Sequence, residues 1–326
     1  MPKILIVKTS ALGDVIQASM VAPLLKDKWP KAHIAWAAER AGYEYLQGAA
    51  AVDALYLFDF KAWRSCRDFK ALWRFIKALR AERYDYVFDL QGNCKSALVT
   101  LFARGEKKIG FGKKSVAEWP NLLFTKEHYN PPKNINIVLR YLYLFEQAFK
   151  CSFPYRPFAA VKRPKIIAVV NNARWESKCL GQKRLSAVLR SFPDASFQLI
   201  YHSPKEKIAA EKSVKLIGGR ARVVRSNNIE ELKALLAGSD LFIGTDSAPL
   251  HLAAVLNLPT ISFFGPTNMQ VYKPWGEGHF GVQGICPYGY KFEKTCPYLR
   301  SCGNKKCINN FSLNFVCNDI IKKILD

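Results

Sequence analysis

Short apolar runs alternate with helix-length segments along most of the chain, and this alternation constrains the fold more than any other feature. Helical patterns separate the runs, for example at 14–28 and 93–104 in the first half. Strands that alternate with helices form βαβ units and a mostly parallel sheet. The predicted strands are Lys3–Lys8, His33–Ala38, Ala54–Phe58, Asp85–Leu90, Ile166–Val170, Phe197–Tyr201, Arg222–Val224, Leu241–Ile243 and Thr260–Phe264.

The chain of 326 residues is long enough for two domains of this α/β class. Lys162, Arg163 and Pro164 interrupt the pattern, so we place a boundary near 155–164. This predicts two Rossmann-like, doubly wound parallel-sheet domains, 1–160 and 161–326, which face one another across a cleft. The final helix, Leu313–Leu325, can pack on either domain. In such sheets ligands bind at the carboxyl ends of the strands, beside helix N-termini.

The formal net charge of +23 favours polyanionic partners such as nucleic acid, an anionic membrane face or a phosphorylated substrate. The basic residues are dispersed and no zinc-finger or RRM signature is present, so we expect no nucleic acid as a partner. A nucleic-acid-binding protein is the alternative from another class of function. The N-terminal apolar run has only four residues before Lys8, which is too short for a secretion signal. We therefore expect a cytoplasmic protein.

Nine cysteines are present, and five of them fall between Cys286 and Cys317. Their spacing includes no C-x-x-C, and an odd total in a cytoplasmic chain argues against a disulfide framework. Buried free thiols and a zinc site both remain open.

Two polar motifs follow strands in the first half. Lys8–Val15 comes directly after the first strand and is not the G-x-G-x-x-G fingerprint of a dinucleotide-binding domain. The missing fingerprint disfavours a Rossmann oxidoreductase, which is a third class of function. Within it Gly13 would allow a ligand close to the backbone, and Asp14 would lie at a helix N-terminus, either facing the cleft or acting as a cap. In Asp89–Ser96, Gly92 marks a turn, and the polar side chains there offer contacts to a ligand.

Three motifs follow strands in the second half. In Ala173–Lys178, Arg174 and Lys178 are four residues apart and would share a helix face if the turn is helical, where two cations suit a diphosphate. Gly244–His251 brings a serine and a histidine to the start of a helix. Phe264–Thr267 is a glycine-proline turn whose amides would close the same phosphate pocket.

A basic amphipathic helix is predicted at about Cys66–Arg83. Its cations fall on one face and Phe69, Leu72, Phe75, Ile76 and Leu79 fall on the other. Such a helix is either an ordinary solvated helix with a core face or a surface that meets anionic phosphates.

Together these motifs resemble those of the ADP-heptose:lipopolysaccharide heptosyltransferases, glycosyltransferase family 9. K-T-S-A-L-G-D-V, D-L-Q-G-x-x-K-S-A, A-R-W-E-S-K, G-T-D-S-A-P-L-H-L-A-A and F-F-G-P-T occur in the family's order over about residues 3 to 270. The first motif looks more like heptosyltransferase I, and the T-C-P…K-C-I tail resembles a segment found in several members of the family, often those labelled heptosyltransferase II.

The resemblance implies a GT-B fold with the acceptor on the N-terminal domain and the nucleotide sugar on the C-terminal one. It implies inverting transfer without a metal or another cofactor, with Asp14 as the general base. We assign donor binding to Arg174, Lys178, Glu206, Thr245, Asp246, Ser247, His251 and Gly265. We assign acceptor binding to Ser10, Gly13, Lys61, Arg64, Arg67, Gln91 and Lys95.

The resemblance also implies the substrates and the location. The expected reaction moves L-glycero-D-manno-heptose from ADP-heptose to Kdo of Kdo-lipid A, at the cytoplasmic surface of the inner membrane. Heptosyltransferase II or another family 9 sugar transferase is the alternative. Three departures from the family pattern bear on substrate preference: Asn171–Arg174 in the donor lead-in, Cys179-Leu180 where Trp-Pro is usual, and Ile135–Ile137 where His-Ala-Val is usual.

Overall fold

The computed structural model describes residues 1–60, 62–63, 68–154, 163–302, 304 and 306–325. The chain divides into two compact units, Met1–Pro154 and Tyr155–Asp326. Each unit is built around one six-stranded parallel sheet with helices packed on its faces. No helix in the described part of the chain combines the length and the apolar character that crossing a membrane requires.

The sheet of the first unit has the strand order β3-β2-β1-β4-β5-β6. Its central strands are apolar on both faces, as expected for a parallel sheet covered by helices, and four of the five residues of β1 are buried. The strands are β1 Lys3–Val7, β2 His33–Ala38, β3 Ala54–Leu57, β4 Arg83–Asp89, β5 Arg104–Phe111 and β6 Glu127–Tyr129.

The helices of the first unit include a break that the sequence pattern does not predict. The segment 14–28, predicted as one helix, forms two helices that meet at Met20. Pro23 has no N–H to donate, so it fits the first turn of a new helix better than the interior of a continuous one. The helices are α1 Leu12–Ser19, α2 Val21–Lys28, α3 Arg40–Leu46, α4 Phe69–Ala81, α5 Cys94–Phe102 and α6 Ile137–Phe149, with a 3₁₀ turn at Trp119–Leu123.

The second unit repeats this architecture with the order β12-β11-β10-β7-β8-β9. Its strands are β7 Ile166–Val170, β8 Ser196–Tyr201, β9 Ala221–Arg225, β10 Leu241–Thr245, β11 Thr260–Phe264 and β12 His279–Gln283. Its longer helices are α7 Gln182–Arg190, α8 Pro204–Ile217, α9 Ile229–Ala237 and α10 Ala248–Val255, followed by a short α11 at Met269–Tyr272.

The final helix belongs to the second unit. It runs through α12 Leu313–Phe315, a π-helical segment Val316–Ile321 and α13 Lys322–Leu325. Val316, Ile320 and Ile324 are buried in the same cluster as the strand residues Ile167 and Phe197. Of the two packing options that the sequence leaves open, the structure therefore shows the one on the C-terminal unit.

Both sheets carry the same topological switch point. The switch point lies between the adjacent parallel strands β1 and β4 in the first unit and between β7 and β10 in the second. Loops that follow such a pair of strands diverge and leave a crevice, where doubly wound sheets bind their ligands. All four loops carry polar motifs identified from the sequence.

Candidate active site

In the first unit, the loops that follow β1 and β4 meet. The backbone N–H of Ser10 lies 3.4 Å from Oε1 of Gln91, so two predicted acceptor-binding residues stand side by side. Gly13 lies in the first turn of α1. The switch point therefore brings the first and second sequence motifs together.

Asp14 occupies the third position of α1, with its side chain 42% exposed. Its Oδ2 accepts a hydrogen bond of 3.2 Å from the N–H of Ala11 and lies 3.8 Å from Nζ of Lys8. Ala11 has no side-chain acceptor to return the bond, so this is only one half of a capping box. The carboxylate is oriented on one side and open on the other, which leaves it able to accept a proton.

Lys8 is a buried cation that the sequence assignment omits from the site. Burial lowers the pKa of its ammonium group, and the neighbouring carboxylates Asp14 and Asp89 oppose that shift. The ammonium also lies 5.5 Å from the ring centroid of Tyr141. The sequence signal for this buried lysine is its position directly after four apolar residues of a strand. Few lysines are buried without a partner, so a lysine at such a position indicates a nearby carboxylate.

Asp89 shapes the second loop from inside and faces no solvent. Its Oδ1 accepts hydrogen bonds from the N–H groups of Gln91 and Gly92, and its Oδ2 accepts one of 2.6 Å from Asn121. Burial raises the pKa of this carboxyl, and the hydrogen bonds reduce that rise. Gly92 has φ 73°, in the left-handed region that favours glycine. The expectation that Asp89 would contact a ligand is wrong, because its carboxylate holds the turn that presents Gln91.

Lys95 lies at the beginning of α5 and is one-third exposed. Its Nζ forms an ion pair of 2.6 Å with Oε1 of Glu39, which precedes α3. An acceptor phosphate that binds Lys95 would compete with this carboxylate. The other predicted acceptor contacts, Lys61, Arg64 and Arg67, lie outside the described residues.

In the second unit, the loops that follow β7 and β10 bring together three charged or titratable side chains. Lys178 Nζ lies 2.6 Å from Oδ2 of Asp246, and Nε2 of His251 lies 3.4 Å from Oδ1 of the same carboxylate. Asp246 and His251 are almost fully buried, and the side chain of Lys178 is 18% exposed. Burial alone would raise the pKa of the Asp246 carboxyl, but His251 and Lys178 hold it well below its usual range.

The N-terminus of α10 is beside this triad and lacks a capping side chain. Ser247 is the N-cap residue, yet its hydroxyl donates to the carbonyl of Thr245 rather than accepting from the helix. The Oγ1 of Thr245 is buried and forms no hydrogen bond within the described part of the chain. Uncapped helix amides together with a nearby cation suit an anionic ligand.

Two other predicted donor contacts, Arg174 and Glu206, have local structural roles. Arg174 shares no helix face with Lys178, because residues Glu176–Lys178 form a 3₁₀ turn, and its guanidinium lies 5.4 Å from the ring of Trp175. Glu206 Oε2 accepts from the N–H groups of His202 and Ser203 in a capping box of α8.

Gly265 permits a close backbone approach at the end of β11. A Cβ at this position would lie 2.9 Å from both N and Cα of Ile308. The glycine is therefore explained by packing, and its role in donor binding stays a prediction.

Four of the tail cysteines converge. Cys286, Cys296, Cys302 and Cys307 line one largely apolar cavity of about 250 Å³, together with Tyr288, Tyr290 and Tyr298. The cavity reaches Ser177 and Gly265 but not the triad. Within the described ranges, no cluster of His, Cys, Asp and Glu side chains could hold a metal ion as it stands. The thiols there are free.

Two Rossmann-like units, each with a polar crevice at the switch point of its sheet, define a protein of the GT-B class. The chain belongs to glycosyltransferase family 9 (heptosyltransferase), whose family model matches residues 72–301. This match confirms the family that the sequence motifs indicate.

Named relatives agree with this assignment. The chain is 27% identical over 293 residues to lipopolysaccharide heptosyltransferase 1 of Campylobacter coli, covering 81% of this chain and 84% of that protein. It is also 27% identical over 291 residues to lipopolysaccharide heptosyltransferase 3 of Escherichia coli K12, covering 81% and 83%.

Solved structures share the fold. E. coli heptosyltransferase WaaC with ADP-2-deoxy-2-fluoro heptose matches with a TM-score of 0.72 and 23% identity, over 86% of this chain and 93% of that one. E. coli ADP-heptose lps heptosyltransferase II matches with a TM-score of 0.71 and 17% identity, over 99% and 98%.

Proposed function

We propose that this family 9 heptosyltransferase is an inverting enzyme that transfers L-glycero-D-manno-heptose from ADP-heptose to Kdo of Kdo-lipid A. The observation that carries the proposal is the buried triad of Lys178, Asp246 and His251 beside the uncapped start of α10. A solved relative of the same fold is a heptosyltransferase described with an ADP-heptose analogue, which supports an ADP-sugar as donor.

In the proposed donor complex the diphosphate lies against α10. Lys178 would neutralise part of its charge, and the helix amides would donate hydrogen bonds to its oxygens. Asp246 holds Lys178 and His251 in place, so the cation is positioned before the donor arrives. Because these groups also face the charge that grows on the leaving ADP, they would stabilise the transition state. The predicted contacts of Arg174, Glu206, Thr245, Ser247 and Gly265 belong to the same proposal.

In the proposed transfer step the acceptor hydroxyl attacks the anomeric carbon from the face opposite ADP. The new C–O bond forms as the bond to the diphosphate breaks, ADP leaves with the electron pair, and Asp14 takes the hydroxyl proton. The open side of the Asp14 carboxylate allows this contact, and Lys8 fixes its other side. Ser10, Gly13, Gln91 and Lys95, with Lys61, Arg64 and Arg67, would hold the acceptor.

We propose that the transfer needs no metal ion and no other cofactor. A cation and a helix terminus can together neutralise the leaving diphosphate, which is the task that a divalent metal would otherwise perform. The acceptor is a phosphorylated lipid, so we also propose that the protein works in the cytoplasm at the surface of the inner membrane. The net charge of +23 supports an anionic partner there.

The specific acceptor is the finer part of the proposal. The first motif favours heptosyltransferase I, whereas the named relatives are heptosyltransferases 1 and 3, and a solved heptosyltransferase II shares the fold. Heptosyltransferase II, which would add to an acceptor that already carries heptose, is therefore the second candidate.

Asp14→Asn tests the proposed base. The variant keeps the shape of the side chain but cannot take the proton, so it should bind ADP normally and lose about 10²-fold or more in kcat. Asp68→Asn is the matched control, because Asp68 caps α4 through a hydrogen bond of 2.9 Å from Ala71 that asparagine can also accept. Turnover by Asp14→Asn at the rate of Asp68→Asn would show that Asp14 only orients the helix start.

A further inference from the structure

The exposed apolar side chains of the first unit are unevenly distributed. Four large ones are more than 60% exposed, two on α4 and two on the 3₁₀ turn, and both of these elements contact α5: Phe69 at 72%, Trp73 at 62%, Trp119 at 69% and Leu123 at 71%. We call these four residues the apolar face. Scattered single exposures need no explanation, but grouped aromatic exposure marks an interaction surface.

The apolar face lies on the side of the sheet that α4 and α5 cover. Phe75 and Leu79 of α4 pack in one core cluster with Val99 of α5. The 3₁₀ turn Trp119–Leu123 joins α5 through Asn121, whose side chain donates to the carbonyl of Asn93 at 3.1 Å. Phe69 was predicted to face the core with Phe75, and the structure instead leaves it exposed at the beginning of α4.

The apolar face also lies at the edge of the sheet that carries the candidate acceptor site. In βαβ units the helix runs antiparallel to the strands, so its N-terminus stands at their carboxyl ends. Phe69 and Trp73 are in the first two turns of α4. Asn121 contacts the residue that caps the N-terminus of α5, next to Gln91.

The charge around the apolar face is mainly positive, although the exposed carboxylates of Asp68 and Glu118 are next to Phe69 and Trp119 in the chain. Helix α4 carries Lys70, Arg74, Lys77 and Arg80 and no acidic residue, and all four cations are exposed. Lys77 Nζ lies 5.3 Å from the ring centroid of Trp73, so aromatic and basic groups are interleaved. Exposed lysines 113 and 114 precede the 3₁₀ turn. Aromatic side chains flanked by cations are typical of surfaces that lie in the interface of an anionic bilayer.

We propose that the apolar face and the cations of α4 dock the first unit on a bilayer that contains anionic lipid, with Phe69, Trp73, Trp119 and Leu123 entering the interfacial region. The inference deepens the proposed function, because it sets the acceptor site at the surface where a lipid-anchored acceptor would lie. The docking itself requires no donor and no transfer.

The test measures partitioning of the full chain onto vesicles of phosphatidylcholine mixed with phosphatidylglycerol and onto vesicles of phosphatidylcholine alone. Phe69→Ser/Trp73→Ser should lower the partition coefficient on the mixed vesicles by about tenfold or more, because two large apolar side chains no longer insert. Lys70→Gln/Arg74→Gln should lower it about 25-fold on the mixed vesicles and little on phosphatidylcholine alone, since each of the two cations near an anionic surface is worth about fivefold.

The matched control is Ile208→Ser, which removes an apolar side chain that is 55% exposed on the lysine-rich helix α8 of the second unit. It should leave partitioning unchanged. Partitioning of Phe69→Ser/Trp73→Ser equal to that of the control would overturn the proposal. A shift of the protein from dimer to monomer in that double variant, without a change in partitioning, would assign the face to a second copy.

The outcome is separable from the proposed transfer. Turnover with a detergent-dispersed acceptor reports on the reaction alone, and vesicle partitioning without donor reports on docking alone. Active protein that does not partition would refute only the docking, and inactive protein that partitions as predicted would refute only the transfer.

Discussion

The ion pair between Lys178 and Asp246 should behave as one unit in the second domain. Its atoms are 2.6 Å apart, the Asp246 side chain is 8% exposed and the Lys178 side chain is 18% exposed. Lys178→Met leaves a buried carboxylate whose remaining ion-pair partner among the described residues is His251, and Asp246→Asn leaves a largely buried ammonium without this anion. Removing one member of such a pair leaves the other charge unpaired in a poorly solvated position.

The expected magnitudes follow from that burial. Each single substitution should lower the free energy of unfolding by about 3 kcal/mol, at the lower end of the cost for a broken buried pair because Lys178 retains some solvent. The double variant should also lose about 3 kcal/mol, rather than the roughly 6 kcal/mol that additivity gives, so the coupling energy is about 3 kcal/mol.

Urea denaturation of the four proteins, followed by tryptophan fluorescence and circular dichroism, gives the coupling energy. Calorimetry with ADP completes the test, because both variants that lack Lys178 should bind ADP more weakly than wild type. A coupling energy below about 1 kcal/mol, the range of exposed pairs, would refute the reasoning about burial. Unchanged ADP affinity in Lys178→Met would remove the lysine from the donor site.

Two further predictions concern stability. Burial lowers the pKa of His279 to about 3. Below the ordinary histidine pKa, the unfolded chain therefore binds more protons than the folded protein. The free energy of unfolding should fall by roughly 1.4 kcal/mol per pH unit as pH drops below about 6.5. His279→Asn should flatten that slope in urea titrations between about pH 6 and about pH 4, and an unchanged slope would contradict the assignment. Gly265→Ala should cost about 1–3 kcal/mol because its Cβ would press on Ile308, whereas Gly219→Ala, with open space around it, should be nearly neutral in the same assay. Equal stability of the two glycine variants would contradict the packing explanation.

Apolar runs predicted the central strands, because strands covered on both faces need nearly continuous apolar sequence. The run Ile4–Val7 and the buried strand β10 were identified in this way. Strands β5, β6 and β12 were missed. β5 begins Arg-Gly-Glu-Lys-Lys and is largely solvent-accessible in that part, β6 is a three-residue strand at the sheet edge, and β12 lies at a sheet edge with a glycine in its middle. Their backbone pairing is set by neighbouring strands, which a local pattern does not reveal.

The motifs located the candidate site, because polar residues that follow buried strands gather at one edge of a parallel sheet. The contact between Ser10 and Gln91, and the triad around Asp246, follow from that rule once the strand order is known. The rule does not give side-chain direction. It could not show that Asp89 turns inward, or that Glu206 caps its own helix. The inward turn of Asp89 depends on Asn121, far away in sequence, whereas the Glu206 cap is local and Ser203-x-x-Glu206 matches the capping-box pattern.

The most direct measurement of the central claim is mass spectrometry of defined lipopolysaccharide acceptors after incubation with ADP-heptose in the presence of EDTA. Kdo-lipid A should gain the mass of one heptose as ADP is released, and Asp14→Asn should give almost no product under the same conditions. A mass increase only on an acceptor that already carries heptose would contradict the proposed acceptor. Recovery of activity only when magnesium is restored would contradict metal-independent transfer. No gain on either acceptor from protein that binds ADP would contradict the proposed heptosyl transfer itself.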